Sequence, residues 1–211
     1  MPLLKAGIVL VDYDTGAVQR LIPLQYNPET LTRSLQVQGV GPESGPHVDQ
    51  MRLKGPAIET IKLDASFDAA DQLDTGDPLA TASGIQPQLA ALETVIYPTS
   101  TQLQQANSLA QAGTLEIVPM DAPLTLFVWS KERIIPVKIT EFSITEEMFD
   151  SSLNPIQAKV SLGMRVLTID DIGYSSVAGS IYLTYQQRKE QLAASAPAGS
   201  LSAFGISAVL G

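Results

Sequence analysis

The chain has no cysteine, which excludes disulfide staples, thiol nucleophiles, thiolate zinc sites and iron–sulfur clusters together. It has one histidine, His47, between Pro46 and Val48 in a loop rich in Gly and Pro. A Ser-His-Asp arrangement would have to use that residue, and no Gly-x-Ser-x-Gly elbow exists to offer a nucleophile. Gly-x-x-x-x-Gly-Lys is also missing, and the Gly41 to Gly45 loop precedes no helical pattern, so no phosphate cradle is readable. No stretch approaches the roughly 18 to 20 apolar residues of a membrane helix. The apolar start after Gly7 is cut by Asp12 and Asp14 and lacks a secretory leader's charged front, so it reads as a strand in a chain expected to be made and kept soluble.

Positive charge is scarce in a particular place. The net charge is -9, from 13 basic and 22 acidic residues, yet between Phe67 and Ser130 there is no Lys or Arg at all. That block carries Asp68, Asp71, Asp74, Asp77, Glu93, Glu116 and Asp121. Phosphate backbones are repelled by it, and no basic stripe with interleaved aromatics stands elsewhere, so nucleic-acid binding is not expected. The block reads as a solvated acidic face or as a surface for a basic protein partner.

With 211 residues, 45% hydrophobic and 17% charged, the composition is globular and can supply a core without staples. Leu4 to Tyr13 and Val18 to Tyr26, joined by Asp14-Thr15-Gly16, predict a β-hairpin. Asn27-Pro28 predicts a turn, and Ser34 to Val40 a short strand leading into an irregular loop that reaches about Lys54. From Ile58, the residues Ile61, Leu63, Ala65 and Phe67 alternate with Thr60, Lys62, Asp64 and Ser66, the period of a strand with one buried face. Ile85, Leu89, Leu92 and Ile96 then recur at helical spacing. Thr99 with Gln102 forms a capping-box pattern for a second helix bearing Leu103, Ala106 and Leu109, ending at Gly113. Strands are predicted at Thr114 to Val118, at Leu124 to Trp129, and from Ile134 after a hairpin tip at residues 130–133. The longest alternating run holds Ile156, Ala158, Val160, Leu162, Met164 and Val166. Ile181 to Ala194 predicts a helix, followed by a linker-like tail.

The expected fold class is mainly β (α+β): an antiparallel β-barrel or sandwich over residues 1–170, with a helical acidic insertion at about 68–113, then a C-terminal helix and flexible tail over 171–211. Aspartates repeated every three residues from Asp68 to Asp77 could attract a hard cation, but the alternating acids and sixth-position Gly of a calcium loop are missing. Glu141, Glu146, Glu147 and Asp150 are dense enough to consider carboxylate-dependent glycoside hydrolysis, for which Glu146 and Glu147 are the candidates. Trp129, Tyr26, Phe127 and Phe142 lie on predicted strands, where aromatics usually belong to a core.

Four stretches carry a resemblance: residues 24–31 (Leu-Gln-Tyr-Asn-Pro-Glu-Thr-Leu), 53–64 from Leu53-Lys54-Gly55-Pro56 to Asp64, Phe127-Val128-Trp129, and 142–158 from Phe142 to Ala158. In order and spacing they resemble the tube-like domain of contractile injection systems, phage-tail-derived bacterial particles. Within that family the chain looks like the small baseplate protein that adapts the inner tube to the hub and spike. The resemblance covers about residues 3–170. It implies a barrel related to tail-tube subunits, a six-fold ring, no catalytic residues and no cofactor. The implied partners are copies of itself, an inner tube or tube-initiator protein, the spike or hub and other baseplate subunits, in a particle assembled in the cytoplasm and kept there or released. Family members often continue into a LysM module, which is not found in residues 171–211. Other tube-like parts, a tube initiator or a cap, share the pattern, and a cell-wall hydrolase is the competing class. The strands at 58–67 and 134–169 are expected at subunit contacts. The loop 40–56, with Arg52 and Lys54, and the tip, with Lys131 and Arg133, are expected to face neighbouring rings, and Asp71 and Asp74 to face a basic neighbour.

Overall fold

A computed structural model describes residues 4–39, 52–111, 113, 122–197 and 199–205. Seven strands form one antiparallel sheet: β1 (Gly7–Val11), β2 (Val18–Pro23), β3 (Leu31–Gln36), β4 (Ile58–Asp68), β5 (Leu124–Ser130), β6 (Arg133–Phe149) and β7 (Pro155–Val166), in the spatial order β2-β1-β5-β6-β7-β4-β3. The first hairpin turns as expected, with Gly16 at φ 70°, but Asp12 organises it: its carboxylate accepts from the Thr15 amide and hydroxyl. The third strand begins three residues earlier than the sequence pattern suggests and ends at Gln36. The strand expected at Thr114 to Val118 lies outside the described residues.

The sheet is steeply curled. β2 and β4 are five strands apart, a separation of about 24 Å in a flat sheet. Gln25, just past β2, nevertheless bonds the backbone of Asp68 at the end of β4. Its amide nitrogen donates to the Asp68 carbonyl at 2.6 Å, and its amide oxygen accepts from the Asp68 N–H at 2.8 Å. β3 covers β4 only from Ile58 to Leu63, so this side-chain amide takes the place of a strand along the uncovered end. The ladder register sets Pro23 level with Gly7 and Val128, far from the Asp68 level of Gln157 and Glu147. Bringing such offset residues together requires strands strongly tilted to the barrel axis. Asn27 ties the same connection to the other side, accepting from the Ala6 N–H at 2.9 Å and donating to the Leu4 carbonyl at 2.7 Å.

Inside lie Ile8, Leu10, Ile22, Ile61, Leu63, Phe67, Phe127, Ile135, Val160, Leu162 and Met164. Four short helices, where the spacing predicts two, follow β4: α1 (Ala70–Asp74), α2 (Pro78–Ser83), α3 (Gln86–Glu93) and α4 (Ser100–Gln111). Asp77 caps α2 by accepting from the Leu79 and Ala80 amides. Ile85, Leu89, Leu92 and Val95 join the barrel core, so the insertion is a plug with an acidic exterior. Gly84, at φ 58°, lets the chain pass Pro155, whose carbonyl would stand 2.1 Å from an added Cβ and instead accepts the Ile85 N–H at 3.0 Å. The capping box at Thr99 and Gln102 forms, but α4 buries no residue and Leu103 and Leu109 stay exposed.

After β7 come α5 (Ile169–Ile172) and α6 (Val177–Ala194), closed by a 3-10 turn at Leu201–Phe204. The start of α6 packs with Val11, Leu124 and Leu126 through Ala178, while Tyr182 and Tyr185 join the main core. β5 is therefore buried on both faces over its first four residues, Thr125 included. Among the described residues no helix is long and apolar enough to cross a membrane.

Replacing Gln25 by Ala strands the Asp68 N–H and carbonyl together, and unsatisfied buried groups of this kind cost about 1–3 kcal/mol each. Q25A should therefore lower the thermal midpoint by several degrees, measured by circular dichroism. Q25E should fall similarly, because it keeps the acceptor but loses the donor. An unchanged midpoint in both would show that the barrel closes without this amide.

Candidate functional site

β4 begins at a charged cluster and ends at another of opposite sign. Glu59 occurs in phase with Ile61, Leu63, Ala65 and Phe67, so the strand's alternation turns it inward, and it is 3% exposed. A buried carboxylate needs compensating partners. Arg33 on the neighbouring β3 supplies its Nε at 2.6 Å, the Tyr185 hydroxyl lies at 3.2 Å, and Lys189 Nζ is 3.5 Å away. Arg33 also donates to the Tyr185 hydroxyl at 3.1 Å, and Lys189 sits 4.2 Å above the Tyr185 ring. Burial pushes the Tyr185 phenol up to about 12, with the Glu59 charge adding to the shift. Burial by itself would raise the Glu59 carboxyl, but the Arg33 hydrogen bond and the charges of Lys189 and Arg33 outweigh it and hold the carboxyl below its ordinary value. The network fastens α6 to the barrel.

Beside it the β5–β6 tip turns through Lys131 and Glu132. Glu132 pairs with Arg188 of α6, which also donates to Gln191 at 2.8 Å. The Arg188 guanidinium holds the Glu132 carboxyl low. Lys131 projects into solvent, 3.8 Å from Glu132. A cavity of about 210 Å³ opens here, lined by Arg33, Trp129, Arg133, Tyr185, Arg188 and Lys189 among others. A wider groove of about 560 Å³ runs along the other flank of α6, past Leu126, Ile134 and Ile181.

The structure thus brings Lys131 and Arg133 together with four residues that the sequence reading did not single out: Arg33, Glu59, Tyr185 and Arg188. The readable signal was Glu59, a carboxylate at an inward-facing position of an otherwise apolar register. Arg52 and Lys54 are exposed at the foot of the 40–51 segment, where Gly39 bridges Leu53 and the Lys54 N–H bonds the Gln38 carbonyl at 2.8 Å. His47 lies outside the described residues. Asp71 and Asp74 are exposed on α1, at the far end of β4.

The other candidates resolve into structural parts. Asp68 bonds Ala70 and Gln157, and Asp77 caps α2, so the three-residue repeat does not make one carboxylate row. No group of three or more His, Asp or Glu able to hold a metal occurs among the described residues. Glu141 pairs with Lys62 at 2.7 Å and Glu147 with Lys159 at 3.2 Å on the open face of the long hairpin. Asp150 braces the hairpin's end by accepting from the Ser152 and Asn154 amides. Glu146 lies exposed on the same strand and lines neither of the two cavities. Of the four aromatic residues, Phe127 is core and Trp129 and Phe142 pack against it, with Trp129 reaching the cavity, while Tyr26 is exposed.

No protein-family model matches the chain, and comparison with curated proteins gave no match. Among the solved structures similar to it in part are two particles. One is the tail of an empty GTA particle with C6 symmetry, 11% identical, with a TM-score of 0.30 over 77% of this chain and 90% of that one. The other is the virion of a native gene transfer agent particle, 11% identical, with a TM-score of 0.26 over 75% and 90%. Scores of this size carry no functional information from those particles to this chain.

Breaking a buried charge network by removing one partner costs about 3–5 kcal/mol, and for a chain of this length each kcal/mol moves the midpoint by roughly 2–4 °C. Glu59→Gln should accordingly lower the midpoint by about 6 °C or more near pH 7. Because the folded carboxyl is held below its unfolded value of about 4.3, its contribution is complete above about pH 5 and fades as pH falls through the folded value. Thermal melts from pH 7 to pH 3 should show a smaller acid-side loss in E59Q than in the parent chain; equal losses would remove Glu59 from the account.

Proposed function

We propose that the chain is a structural subunit of a phage-tail-like contractile particle, an adaptor ring set between inner tube and hub or spike. The observation that carries this reading is the free edge of β6. β5 pairs only with Arg133–Val137 of that strand, whereas β7 follows it out to Phe149. Among the described residues, positions 138–149 therefore leave one side unpaired for about 40 Å. An edge of that length is a template for another chain, and a protein that leaves it open must cover it by assembly or aggregate. The outer side of β3 is also unpaired, with Leu35 exposed.

The ordered resemblance of residues 24–31, 53–64, 127–129 and 142–158 to tube-like domains supports the same role. Two of those stretches fall on features that define the architecture: the first makes the barrel closure, and the last forms the extended hairpin. A closed ring satisfies repeated edges without leaving a terminal one. The tip with Lys131 and the segment bearing Arg52 and Lys54 then face the adjoining ring. Of the candidate hydrolytic carboxylates, Glu147 is engaged in an ion pair with Lys159 and Glu146 is exposed on the same strand, and neither lines a cavity, which favours a scaffold over the hydrolase reading.

Native mass spectrometry and electron microscopy of the purified chain should find a closed oligomer of six, and tagged chain should enter particles when expressed with its neighbouring components. Thr140→Lys combined with Ser143→Lys, both at exposed positions of the free edge, should abolish the closed ring while shifting the thermal midpoint by less than about 2 °C. A monomer at all concentrations that never enters particles would overturn the proposal.

A further inference from the structure

The 210 Å³ cavity between α6 and the β5–β6 tip is too small for a typical ligand pocket of about 300–1,000 Å³ but has room for the head of one side chain. Its chemistry is one-sided. Arg33, Arg133, Arg188 and Lys189 line it, against Glu132 in the wall and Glu59 beneath. Glu59 is taken up by Arg33 and Lys189, and Glu132 by Arg188. Among the described residues no carboxylate pairs with Arg133, although its charge reaches the Tyr185 hydroxyl. Trp129, Tyr185 and Leu192 supply the apolar wall that weakens solvent screening. The cavity is a fixed cationic seat with one guanidinium unspent, in a protein of net charge -9.

The matching anion is at the other end of the same strand. Asp71 and Asp74 stand exposed on α1, their carboxylates with no hydrogen-bond or ion-pair partner among the described residues, inside a block that contains no cation. Nine residue steps along β4, about 30 Å, separate Glu59 from Asp68, and the Ala69 N–H holds the start of α1 to the Ile156 carbonyl at 2.9 Å. These carboxylates cannot reach the cavity of their own chain. We propose that the cavity receives an aspartate of α1 from a second copy, so that copies join head to tail, basic end of β4 to acidic end. The net repulsion between two copies is screened beyond about 8 Å at physiological salt, whereas the seated pair is partly shielded from solvent. The contact is heterologous and leaves the free edge of β6 untouched, so it stands apart from a ring closed through that edge.

Sedimentation velocity of the full-length chain from 1 to 100 μM in 150 mM NaCl tests this, with the midpoint of each variant checked by circular dichroism. The parent chain should self-associate. Arg133→Glu, and separately Asp71→Lys with Asp74→Lys, should each weaken that association about tenfold or more. An equimolar mixture of the two variants should recover it, because the unaltered cavity of one meets the unaltered α1 of the other and the reversed charges also match. Arg133→Lys should lose less than Arg133→Glu. Association in the Thr140→Lys/Ser143→Lys background separates this contact from lateral assembly and should persist. The proposal is overturned if that background is monomeric at 100 μM. It is likewise overturned if neither reversal matters, or if Arg133→Glu weakens association and the aspartate reversal does not, since the cavity would then take a different group of the second copy.

Discussion

Everything in the barrel depends on bringing the two ends of one sheet together. Eight Cα steps join Pro23 to Leu31, reaching at most about 28 Å when fully extended, while the strands they connect are first and last in a seven-strand sheet about 29 Å wide. A flat sheet would therefore need this connection, which carries the Asn27-Pro28 turn, stretched to its full reach, so connectivity alone favours the curl. Gln25 and Asn27 exploit the curl: their amides point to opposite sides, one completing β4 and the other the entry to β1. Both are neutral groups able to donate and accept at once, which a backbone on each side requires.

That closure decides what the acidic block can be. Curling the sheet leaves an opening beside β4 and β7, and the four apolar residues of α3 and its flanks fill it, which forces the aspartates of the same segment outward. The lack of cations across residues 67–130 is thus a property of the plug's exterior, while its interior was chosen for volume. Gly84 marks the tightest point, where plug and β7 approach so closely that no Cβ fits.

The strands were legible because half-buried strands must alternate, and Ile58 to Phe67 and Ile156 to Val166 do so almost without exception. Helix spacing gave α3, α4 and α6, but missed α1 and α2, which are five and six residues long and lean on caps and turns more than on an apolar stripe. The two-sided burial of β5 was hidden, because Thr125 interrupts its apolar residues and nothing local says that α6 returns to cover the outer face. The Glu59 network was the deepest omission. Its phase was visible, but its partners come from positions 26, 126 and 130 residues away in the chain, and no local pattern encodes such pairings.

Burying Glu59 also explains why cations gather where they do. One inward carboxylate draws Arg33 to its Oε1 and Lys189 to its Oε2, and the Tyr185 hydroxyl donates to Oε1 while accepting from Arg33. The second layer, Arg188 with Glu132, fixes the tip against α6 and places Arg133 beside a rigid apolar wall. Surface ion pairs contribute about 0–1 kcal/mol each, so the exposed pairs along β6 and β7 do little more than keep that hairpin's face polar. The charges with consequences are the enclosed ones at the start of β4 and the unpaired ones beyond its end. A strand carrying opposite charge at its two ends, within a barrel that leaves a long backbone edge open along β6, has two distinct directions in which a copy can attach. Backbone pairing acts sideways and is indifferent to salt, whereas charge acts along the strand and is screened by it. Salt concentration should therefore dissect the two modes of association without altering the fold.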